Sequence, residues 1–77
     1  MDIEKMRSRI DAIDAKLVSL LNKRAKTAVE IGKAKKSRGI PVHDPKREAE
    51  VLNRVGELGE GPLERKVIRD IYCHIVS

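Results

Sequence analysis

Tyr72 is the only aromatic side chain in this chain of 77 residues, which has neither Phe nor Trp. Modules that hold single-stranded nucleic acid stack bases on several such rings, so the scarcity argues against that class. Cys73 is the only cysteine, so no disulfide can form within the chain, and a reducing, cytoplasmic setting is expected. With one cysteine and two well-separated histidines, His43 and His74, no zinc spacing can be assembled, and no metal or other cofactor is expected. Uncharged stretches such as Leu17–Asn22 are far too short to span a membrane. The amino terminus, Met-Asp-Ile-Glu-Lys-Met-Arg, carries charge throughout and lacks the apolar segment of a signal peptide.

What remains is the make-up of a small helical domain. Charged residues form 38% and apolar residues 40% of the chain, too apolar for a disordered polyelectrolyte and too charged for a membrane protein. A chain this short buries only about 60% of its unfolded surface, so one domain is expected over residues 1–77, with a marginal core of its own. The net charge of +5 points to an anionic partner, and nucleic acid, an acidic surface and a small polyanion all satisfy it. Residues 3–36 hold one glycine, Gly32, and no proline, with Asp2 placed to cap the helix that they predict. Ser37-Arg38-Gly39-Ile40-Pro41 stops that helix, Gly39 suiting a left-handed turn. Asp44-Pro45 reads as a cap and first helical position, opening a second helix to about Leu58. After Gly59-Glu60-Gly61-Pro62, the face Val67, Ile68, Ile71, Tyr72, Ile75 and Val76 marks a third. The fold class is therefore all-α, three helices per chain, one long and two shorter.

The first helix is informative because it is too long for its own domain. Thirty-four residues rise roughly 50 Å, whereas a compact globule of this size is only about 30 Å across. Its apolar seam, from Ile3, Met6, Ile10, Ile13, Leu17 and Leu20 through Arg24, Thr27 and Ile31 to Ala34, alternates in steps of three and four like a coiled coil. Such a seam requires a partner chain. Arg24 occupies a seam position that calls for Leu, and a guanidinium there is costly unless an anion meets it. Lys35 points within about 20° of Arg24 and lies some 16 Å further along the axis. With only Ala28 and Ile31 between them on that face, the two cations frame a candidate anion pocket. The competing reading is a snorkelling arginine and a solvated lysine. Arg47 and Glu48 flank the apolar stripe of the second helix, although a first-turn glutamate is also what the helix dipole favours. Arg7 lies about 25 Å from Arg24 along the same helix, so a site shared by the two must take Arg7 from another chain.

The chain resembles the all-helical chorismate mutases, intertwined dimers of three-helix chains that rearrange chorismate to prephenate. The resemblance rests on four ordered segments: Met6-Arg7-Ser8-Arg9-Ile10-Asp11-Ala12-Ile13-Asp14, Leu20-Leu21-Asn22-Lys23-Arg24, Glu30-Ile31-Gly32-Lys33-Ala34-Lys35, and Pro41-Val42-His43-Asp44-Pro45-Lys46-Arg47-Glu48. Gly61-Pro62 is similar to versions of the domain fused to prephenate dehydratase or to the first enzyme of the shikimate pathway. The resemblance implies that Arg24, and Arg7 of the opposite subunit, grip the two carboxylates of the substrate. It implies that Lys35 hydrogen-bonds the ether oxygen, and that Asp44, Arg47 and Glu48 surround the ring hydroxyl with Glu48 as its acceptor. In similar chains the third helix continues past the position of Ser77 and there presents a hydroxyl residue and a Gln or Glu to the substrate. No residue of this sequence matches either, so the domain is expected to be truncated or its site completed differently. Two rival readings remain: isochorismate pyruvate lyase, which shares the fold, and a non-enzymatic basic helical module that binds nucleic acid or a partner helix.

Overall fold

The computed structural model describes residues 2–76. Three helices follow one another, α1 (Ile3–Ser37), α2 (Pro45–Leu58) and α3 (Arg65–Val76). Among the described residues there is no strand, so the molecule is all-α. It divides into two compact units, one ending at Val42 and the other starting at His43.

The first unit is α1 and the turn that closes it. The Asp2 carboxylate accepts from the backbone N–H groups of Glu4 at 3.0 Å and Lys5 at 3.3 Å, supplying acceptors that the first turn lacks. At the other end α1 runs to Ser37, one residue beyond the predicted stop, and Gly39 takes φ 70°. The Ile40 N–H then donates to the Lys35 carbonyl at 2.8 Å and the Gly39 N–H to the Lys36 carbonyl at 3.2 Å. This pair of bonds satisfies the last carbonyls and needs a left-handed residue, which glycine supplies without a Cβ penalty. The extra residue is therefore part of the closing turn, whose last helical position a glycine-based boundary places only to within a residue or two. The seam residues Ile10, Leu17 and Leu20 remain 55%, 52% and 59% exposed.

In the second unit α2 packs on α3. Asp44 caps α2 by accepting from the Arg47 N–H at 3.1 Å, and Pro45 opens the helix, both as predicted. Val51, Leu52 and Val55 of α2 and Ile68, Tyr72, Ile75 and Val76 of α3 are half-buried. Val67 and Ile71, expected on the same face of α3, stay 40% and 48% exposed. One neighbouring helix covers a narrower stripe than the sequence pattern offers. Gly56 is the one buried position among the described residues. A Cβ there would lie 2.9 Å from Arg65 Cγ and 3.3 Å from Arg69 Cδ, and one on Gly59 would run into Ile68 Cδ1. Two glycines one turn apart thus let the aliphatic stems of α3 lie directly on α2.

No apolar side chain among the described residues is fully buried.

Candidate functional site

Because α1 is continuous from Ile3 to Ser37, Arg24 and Lys35 share one face three turns apart, and both are half-buried. Every other charged side chain of α1 is exposed. The surroundings of Lys35 come from the chain beyond the helix. Its Nζ donates to the Val42 carbonyl at 3.5 Å, and Val42 Cγ1 lies 3.9 Å from the point where Gly32 would carry a Cβ. The segment after the closing turn therefore returns along the last turns of α1 and holds the ammonium. Thr27, the polar seam residue next after Arg24, donates its Oγ1 hydrogen to the Lys23 carbonyl at 2.9 Å and so satisfies its hydroxyl within the helix.

A second group of charges opens α2. Asp44 and Glu48 are half-buried, one turn apart, and Asp44 spends one carboxylate oxygen on the cap. Both anions sit where the helix dipole favours them. Arg47 between them is exposed and reaches Glu50 Oε2 at 3.5 Å. Arg7 is exposed as well and pairs with Glu4 Oε1 at 3.1 Å. Pairs of that kind on the surface contribute little, about 0.3–0.5 kcal/mol, so either arginine is easily recruited by a stronger anion.

The structure thus joins Arg24 to Lys35 on one helix face, and Asp44, Arg47 and Glu48 in one cap and first turn. It does not bring Arg7 to Arg24 within the chain, since α1 holds them about 25 Å apart. Among the described residues, Arg24, Lys35, Asp44 and Glu48 are the only charged side chains drawn partly out of solvent. The support that Gly32 and Val42 lend to Lys35 was missed in the sequence. Its signal was the lone glycine of an otherwise glycine-free helix. Chemically, half-buried cations on one helix face, with Ala28 and Ile31 between them, suit a carboxylate-bearing small molecule, because partial desolvation strengthens charge-assisted hydrogen bonds. Among the described residues, no cluster of His, Cys, Asp and Glu is arranged to hold a metal ion. No helix of the described residues is long and apolar enough to cross a membrane.

Comparison with known proteins identifies the family. The model of the family "Chorismate mutase type II" matches residues 6–77. The chain is 34% identical over 80 residues to the bifunctional chorismate mutase/prephenate dehydratase of Aquifex aeolicus, an alignment covering 99% of this chain and 22% of that protein. It is 46% identical over 55 residues to the bifunctional enzyme of the same description from Escherichia coli K12, covering 71% of this chain and 14% of the relative. The matched region therefore spans about a fifth of the length of the first of these curated relatives and about a seventh of the second. Among solved structures, a chorismate mutase from Thermus thermophilus superposes with a TM-score of 0.93 at 31% identity, over 96% of this chain and 92% of that one. The family-model match over residues 6–77 and the superposition lead to one assignment: the chain belongs to the chorismate mutase type II family.

Proposed function

We propose that the protein is an isomerase that converts chorismate to prephenate by an intramolecular Claisen rearrangement, a step in the biosynthesis of aromatic amino acids. The observation that carries the reading is the selective burial of charge: of all the charged side chains described, only Arg24, Lys35, Asp44 and Glu48 are half-buried, and these are among the residues that the resemblance implies for the substrate site. The reaction breaks a C–O bond and forms a C–C bond within one molecule, so it needs no nucleophile from the protein. The enzyme must hold the enolpyruvyl side chain over the ring and stabilise the charge that separates. Arg24, with Arg7 of a second subunit, would grip the carboxylates in bidentate geometry and fix the reactive conformer. Lys35 would meet the negative charge growing on the ether oxygen, and an interaction that strengthens in the transition state raises kcat. Asp44, Arg47 and Glu48 would surround the ring hydroxyl.

In this reading residues 1–77 form one domain, and the working unit is a homodimer in the cytoplasm. Support for the dimer comes from the open seam of α1, where Ile10, Leu17 and Leu20 are each more than half exposed. An antiparallel pairing that carries Arg7 to the stretch between Arg24 and Lys35 puts the two-fold axis near Val18. Following the loss of chorismate by absorbance, with the products identified, tests the proposal. Prephenate supports it, pyruvate released from isochorismate points to the lyase instead, and no turnover of either substrate refutes both.

A further inference from the structure

The charge of α1 is unevenly spread. From Asp2 to Asp14 three cations face four anions, whereas from Ala15 to Arg38 eight cations face only Glu30. The site residues Arg24 and Lys35 account for two of those eight. Lys23, Lys26, Lys33 and Lys36 are exposed and point away from the Arg24–Lys35 face, because at 100° per residue they fall about 100°, 160°, 180° and 120° from Arg24 around the helix. They are too far round to touch a ligand lying on that face. The ion pair between Glu4 and Arg7 lies in the balanced half of α1, away from all four lysines.

We infer that Lys23, Lys26, Lys33 and Lys36 form an electrostatic funnel that draws a dianionic substrate to the Arg24–Lys35 face without contacting it. The inference rests on the proposed chorismate mutase activity and adds a role for residues outside the site. Each lysine, at the side or back of the helix, stands roughly 10–15 Å from a ligand on that face, within the Debye length of about 30 Å at 0.01 M salt and beyond the 8 Å at 0.15 M. The four fields add at low salt and are largely screened at physiological salt, so the funnel acts on capture and leaves the chemical step unchanged. Such a field raises kcat/KM while kcat, set inside the site, stays constant.

The test compares the wild-type enzyme with a variant carrying Lys23→Gln, Lys26→Gln, Lys33→Gln and Lys36→Gln, using chorismate over about 0.01–0.5 M NaCl. Glutamine keeps the helix propensity close to that of lysine, and circular dichroism with a thermal melt verifies the fold. The expected result is a kcat/KM about tenfold below wild type at 0.01 M salt, converging on it by 0.5 M, with kcat equal throughout. Competition by chloride for the site itself would give both proteins the same salt slope, and that outcome would overturn the funnel. An equal kcat/KM at every salt concentration overturns it too, as does a deficit in kcat. Should the quadruple variant unfold, the pairs Lys26→Gln/Lys33→Gln and Lys23→Gln/Lys36→Gln carry the same comparison at an expected effect of about threefold. A wild-type protein that leaves chorismate unchanged defeats the proposed activity instead, which separates the two failures.

Discussion

Lys35 is the side chain on which the proposed chemistry depends most directly. Lys35→Ala should lower kcat by about 10²- to 10³-fold, the usual loss when one donor to a developing oxyanion is removed. The helix should survive, because the lysine lies outside the apolar seam and its bond to the Val42 carbonyl is long, at 3.5 Å. Lys35→Arg should also be poor, since a planar fork does not replace a compact ammonium. Steady-state kinetics beside a circular dichroism spectrum decide the matter, and a near-normal kcat in Lys35→Ala would refute the site. Gly39 is a residue of the opposite kind, conformational and remote from chemistry. With φ at 70°, Gly39→Ala should cost about 1 kcal/mol in urea unfolding while the activity of the folded protein is unchanged.

At the scale of elements, the α2–α3 pair depends on what its glycines leave out. Gly56 lets the Arg65 stem cross α2, so Gly56→Val should destabilise the protein by about 1–3 kcal/mol through overpacking, measured as a lower urea midpoint. Gly56→Ala should cost less. Its Cβ would sit 2.9 Å from Arg65 Cγ, part of a flexible exposed side chain that can swing aside, and alanine regains helix propensity. If both variants match wild type, the close crossing of the two helices is not under packing constraint. The caps act at this scale as well. Asp44 both caps α2 and belongs to the proposed site, which makes it a poor probe of either role alone.

For the whole molecule, the exposed seam is the deciding feature. Leu20→Asp should leave the chain largely unfolded at micromolar concentration, because it places an unpaired charge in the proposed subunit core and folding of such chains is coupled to pairing. A folded monomer of that variant, seen by sedimentation, would contradict the dimer. Sharing of the site is tested separately. Arg7→Ala and Arg24→Ala should each be nearly inactive, yet equal mixtures after subunit exchange should recover roughly a quarter of wild-type sites, since half the dimers are mixed and each holds one intact site. Tagged subunits confirm the exchange, and absence of recovery would place Arg7 outside the shared site.

The helix boundaries were legible in the order of residues because their signals are local. Asp2, Asp44-Pro45 and Gly39 act on backbone groups within four positions of themselves, and the structure starts and stops the first two helices at or within one residue of those marks. The shared face of Arg24 and Lys35 was equally legible, since a continuous helix converts spacing into direction. Contacts between segments distant in sequence were not. No periodicity reveals that Val42 returns to Lys35, that Gly56 and Gly59 admit the stems of Arg65 and Ile68, or that Val67 and Ile71 stay in solvent while their neighbours are covered. Those outcomes depend on where the chain goes after each turn, and that path is set by packing between elements, which local backbone chemistry does not encode.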